Sequence, residues 1–126
     1  MQKQLSVAFL FVSSVAVCLA NDNMKDKKED SKTSINKIML AVHRPRPDAL
    51  VYKVEEGRAT AEEQKKLLGY YEALATFSPP RGDTDGWKRR TEALIEATRG
   101  VIKGQEKSRE RLAEGRDCRG CHTVHK

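Results

Sequence analysis

The chain has 126 residues, of which 33% are charged and 6% aromatic, with a formal net charge of +6 at pH 7. That length accommodates one domain with a single core and leaves little for a second. Its Lys and Arg residues are interleaved with Glu and Asp and have no aromatic stacking platform among them, which excludes no soluble class but argues against nucleic-acid binding and for solvated helix faces.

Residues 1–20 read as a secretory signal. Lys3 supplies the positive start, Leu5 to Val17 an almost unbroken apolar run, and Cys18-Leu19-Ala20 a small-x-small site with cleavage after Ala20. The run is too short for a membrane span and no other follows, so the mature protein is expected to be exported, periplasmic and not membrane-spanning. The rival reading is a lipoprotein acylated on Cys18, which the bulk of Val17 disfavours. Cleavage removes Cys18, leaving Cys118 and Cys121 as the thiols of the mature chain.

Residues 21–32 alternate Lys with acidic side chains and contain Met24 as their one apolar residue, the composition of a flexible leader. From Ser34 the pattern becomes helical: Ile35, Ile38, Met39 and Val42 share a face. This helix must stop near His43, because Pro45 and Pro47 forbid its continuation. Asp48 is placed to cap a short segment through Leu50, Val51 and Val54, closed by Gly57.

Thr60-Ala61-Glu62-Glu63 is a capping box that opens a long helix. Leu67, Leu68, Tyr71, Leu74 and Ala75 form its buried stripe, and Ser78-Pro79-Pro80 stops it. After an Arg81-Gly82-Asp83 turn, Trp87, Thr91, Leu94, Ile95, Thr98, Val101 and Ile102 repeat at the same period. Gly104 punctuates the chain, and Gln105 to His125 is expected to form the last helix, with Leu112, Cys121 and His122 facing inward. No stretch alternates with the period of a strand. The expectation is therefore an all-α domain over residues 33–126, an antiparallel four-helix bundle whose C-terminal helix carries the two thiols. Its core is small, and a flat apolar prosthetic group would help to fill it.

Cys118-Arg119-Gly120-Cys121-His122 is the motif that carries chemistry. Two thiols one helical turn apart can each add to a haem vinyl group, which places the next residue, His122, beneath the iron as its proximal ligand. Zinc on Cys118, Cys121, His122 and His125 has the right residue types but the wrong geometry, because Cys121 and His122 are adjacent on a helix and diverge by about 100°. A disulfide across so tight a loop would staple almost nothing. The motif thus points to one covalent haem c. Trp87 and Tyr71 are expected to pack around the porphyrin, and Arg44 and Arg46 are candidates for its propionates.

With a C-terminal haem-binding helix, a core methionine on the first helix and Cys-x-x-Cys-His-x-x-His-Lys at the end, the chain resembles the class II c-type cytochromes, the cytochrome c-prime family and its low-spin relatives. The resemblance covers residues 33–126. It implies an electron-transfer protein rather than an enzyme, with redox partner proteins, and it allows a homodimer. It also implies Met39 as the distal iron ligand, since the axial methionine of the low-spin members occupies a comparable position. The alternative within the same family is a five-coordinate iron that binds NO or CO. His43, one turn beyond Met39, is the competing ligand, although a residue at a helix end before Arg44 and Pro45 is expected to be exposed. It is also the one candidate for the acid-base group that a peroxidase would need. His125 shares a helix with His122, so it cannot reach the opposite face of a haem.

Overall fold

The computed structural model describes residues 34–125; the expected signal and leader, Thr33 and Lys126 lie outside them. Every regular element within that range is helical, in keeping with the all-α expectation. Residues 34–43 form α1. Then follow α2 (Leu50–Glu55), α3 (Ala61–Thr76), α4 (Thr84–Ile102), α5 (Ser108–Gly115) and α6 (Cys118–His125).

The starts of the two long helices are set by side chains near them in sequence. Thr60 Oγ1 accepts from the Glu63 amide at 3.1 Å, and the Thr60 amide donates to Glu63 Oε2 at 2.9 Å. The Asp83 carboxylate accepts from the Gly86 amide at the head of α4. At α2 the expected cap is absent: Ala49 occupies the N-cap position with no side-chain bond, and the Asp48 carboxylate lies 3.8 Å from Arg58 instead. Gly57, at φ 71°, ends the turn as expected.

The last helix is also not continuous. It breaks at Arg116-Asp117, because Gly115 weakens the end of α5 and the Asp117 carboxylate accepts from the Gly120 amide at 3.0 Å, starting a new helix there. The segment bearing the thiols is therefore a short separate element, free to take its own direction.

The α3–α4 pair forms the centre of the molecule. α5 packs on α4, and α2 bridges α3 and α5. Leu67, Tyr71 and Leu74 of α3 meet Trp87 and Ile95 of α4, with Leu112 of α5, Val51 and Val54 of α2, and Ile38 and Val42 of α1 closing the same core. Ala75 lies outside it and is exposed. Two polar residues are buried in α4 at little cost, since the hydroxyls of Thr91 and Thr98 donate to the carbonyls of Trp87 and Leu94 at 3.0 and 2.7 Å. α4 and α5 approach closely at Gly100, where a Cβ would stand 2.3 Å from Ser108 Oγ.

Candidate functional site

The Asp117 cap gives α6 its first turn, so Cys118 and Cys121 sit one turn apart and His122 directly follows. Both thiols are free. Cys118 and His122 are exposed and Cys121 is half-buried, so the expectation that His122 faces the core is corrected: its ring is at the surface of a cavity. Burial, offset in part by the nearby charge of Arg90, pushes the Cys121 thiol above its usual range, so it stays protonated at neutral pH.

That cavity has a volume of about 330 Å³, and Cys118, Cys121 and His122 form one part of its wall. Met39 and His43 come to it from α1, and Trp87, Thr91 and Leu94 from α4. Its lining is mostly apolar, while Arg44, Arg46, Arg90 and Arg116 stand around it. An apolar slot with a cationic surround suits a flat apolar ligand that carries carboxylates. A larger groove of about 660 Å³ lies between α4 and α5, but its walls carry charged side chains such as Glu96, Lys103 and Arg111 and no thiol or imidazole.

His43 is half-buried, contrary to the exposed position expected for it. Desolvation, followed by the nearby positive charges of Arg116 and Arg46, lowers its imidazole to about 4, so the ring is neutral at pH 7. Its Nδ1 is cut off from solvent and has no hydrogen-bond partner among the described residues.

Trp87 lines the cavity as expected, at 4% exposure. Tyr71 does not. It is fully buried in the α3 core beneath the cavity, where desolvation raises its phenol, and its hydroxyl has no partner among the described residues. Tyr71 stands one turn before Leu74, the α3 residue that does reach the cavity wall, so the shared stripe concealed which of the two reaches it.

His125 is buried at 3% exposure. Its Nδ1–H donates to the Arg81 carbonyl at 3.1 Å, and its ring stands edge-on to Trp87 with centroids 5.6 Å apart. The end of α6 is thereby clasped to the α3–α4 turn. Gly82, at φ 83°, makes room for this, since a Cβ there would lie 2.5 Å from the His125 ring and 2.8 Å from the Val124 carbonyl.

The residue that anchors the other end of the site gives little signal in sequence. Arg116, just before α6, holds the Glu55 carboxylate of α2 through two nitrogens, one of the bonds being 3.0 Å. It also donates to the Tyr52 hydroxyl at 3.3 Å and lies 4.6 Å over that ring. The bond to Glu55 raises its already high pKa, fixing its charge. Nothing in periodicity marks Arg116, because its partners are more than 60 residues away.

Among the described residues no three His, Cys, Asp or Glu side chains converge as a metal cluster. A porphyrin supplies four donors itself and asks the protein for one or two axial groups, which this cavity offers from α1 and α6. Comparison with protein-family models, with curated proteins and with solved structures finds no match.

Proposed function

We propose that the protein is an exported monohaem c-type cytochrome that carries single electrons between redox partner proteins. The observation that carries this reading is the meeting, in one apolar cavity, of both thiols and the imidazole of Cys-x-x-Cys-His with donor side chains from α1. In it, Cys118 and Cys121 would hold the haem through thioethers, His122 would be the proximal iron ligand, and Met39, or His43 beside it on α1, would supply the second. α1, α3, α4 and the broken α5–α6 unit act as the four arms of a bundle around it.

Haem iron would supply the one-electron ferric/ferrous couple. The chain does the rest. Trp87 and Leu94 supply apolar wall to the cavity, and Arg116, locked to Glu55, sets the position of the helix that bears the thiols. Arg44, Arg46 and Arg90 offer charge to carboxylates at the rim, whether propionates or an acidic partner.

Expression with the signal, in a host with cytochrome-maturation machinery, tests the reading. The purified protein is expected to be coloured, with the mass of one haem added to the peptide containing Cys118 and Cys121, and replacement of both thiols by Ala is expected to abolish it. A colourless wild-type protein of unmodified mass overturns the proposal. Carbon monoxide added to the ferrous protein separates an electron carrier, which resists it, from a gas-binding protein of the c-prime kind, which does not.

A further inference from the structure

We propose that the outward face of α1 is a docking surface for an acidic redox protein, one that presents carboxylates around an apolar centre; the proposal rests on the electron-carrier reading above.

Lys37, Leu40, Ala41 and Arg44 recur at the three- and four-residue spacing of one helix face, and all four are exposed. The Arg44 amide donates to the Leu40 carbonyl at 3.2 Å, so Arg44 keeps the helical register although it stands just past the end of α1. Ile38 and Val42, on the opposite stripe, are in the core, which turns this face to solvent. Leu40, at 54%, is the most exposed large apolar side chain among the described residues. A lone surface leucine is ordinary. Here it stands with Ala41 between two cations, the arrangement of an interface with an apolar centre and a charged rim.

The charge of this face has no counterweight. Residues 34–47 include Lys37, Arg44 and Arg46 and no Asp or Glu. Lys37 and Arg44 have no ion pair with a described residue, whereas Arg58, Arg99 and Arg116 each meet a carboxylate. On α3 and α4 the bases are interleaved with acids such as Glu72 and Glu92.

That imbalance decides among occupants. A second copy would set the same cations against each other across a symmetric contact. Residues 21–32, which precede α1, hold four lysines and four acidic residues and bring it no net charge. A lipid surface calls for a broad apolar face, and Leu40 is the one large apolar residue on this one. A carboxylate-rich protein surface meets both cations and covers the leucine. Leu40 and Arg44 also line the cavity, so a partner seated on them stands at the edge of the site that would hold the haem.

The test uses the matured, haem-loaded protein and, as probe, reduced flavodoxin, an acidic one-electron donor. Stopped-flow mixing follows ferric haem becoming ferrous as the flavin gives up one electron. The wild-type rate constant is expected to fall about tenfold or more from low to high salt, as screening removes the attraction. Lys37→Glu, outside the cavity wall, and Arg44→Glu are expected to slow the reaction about tenfold at low salt and to match the wild type at high salt. Lys66→Glu makes the same change of charge on the exposed side of α3 and is expected to stay within about twofold of the wild type. Equal slowing by Lys66→Glu and Lys37→Glu overturns the proposal, because net charge alone would then explain the rate. So does a Lys37→Glu rate equal to the wild type at every salt concentration. Sedimentation with phosphatidylglycerol vesicles that is lost in Lys37→Glu, at an unchanged flavodoxin rate, overturns it in favour of a membrane. A chain recovered without haem removes the electron-carrier reading itself, and this proposal with it, before any rate is measured.

Discussion

Gly82 shows how much a single hydrogen in place of a side chain decides. Its positive φ and the C-terminal helix crossing directly over it leave no room for a methyl group, and the atoms in the way include a backbone carbonyl that cannot swing aside. Gly82→Ala is expected to destabilise the protein by about 2 kcal/mol or more, from left-handed backbone strain added to that clash. Chemical denaturation checks the size, and loss of protection at the α6 amides in hydrogen exchange checks the cause. The sequence marked Gly82 as a turn residue, and that much was correct. What lay above it was not legible, because His125 is more than 40 residues away and a buried imidazole carries no periodic signal. His43 escaped for a similar reason. A histidine at a helix end beside arginine and proline looks solvated until the helix that covers it is placed.

Helix boundaries were the part of the fold most open to reading, since their determinants are local. The Thr60–Glu63 box stands where the residue types put it, and the Pro79-Pro80 stop follows α3 closely, while Asp83, read only as part of a turn, caps α4. The Asp83 carboxyl is held below its ordinary range, first by the bond from the Gly86 amide. A depressed folded value means that its contribution is complete above the unfolded value, near pH 4, and is lost as pH falls through the folded one. Asp83→Asn retains a capping oxygen without the charge, so the stability advantage of the wild type over this variant is expected to shrink in acid titrations below pH 4. A gap that stays constant across that range would refute the assignment. The break at Asp117 was readable in principle, from a glycine and then an acidic residue three positions before Gly120, but the apolar spacing of Leu112 and Cys121 carried the expectation across it. The element that orients α6 is instead fixed by Arg116 on Glu55, whose side chains are 21% and 11% exposed. Arg116→Ala leaves a half-buried carboxylate unpaired and is expected to cost about 3 kcal/mol. It is also expected to lower the yield of matured protein, measured as absorbance per unit of chain, more than a core substitution of equal cost.

At the scale of the whole molecule, the all-helical class followed from the period of the apolar residues, and the proposed chemistry rests on the thiol pair with its neighbouring histidine. The arrangement around that motif did not follow. Which helix faces meet is decided by packing between distant segments, and Tyr71 and Leu74, one turn apart on the same stripe, went to different places.

α1 and α6 lie at opposite ends of the described chain and wall the same cavity, with about 80 residues running between His43 and His122. Any bridge between the two walls therefore turns nearly the whole domain into a ring. For a ring of that size the freedom removed from the unfolded chain corresponds to roughly 4 kcal/mol, if the bridge survives unfolding. The loaded protein is accordingly expected to melt well above its thiol-free counterpart, and competition by excess imidazole in the denaturant is expected to erase part of that margin by cutting the ring open.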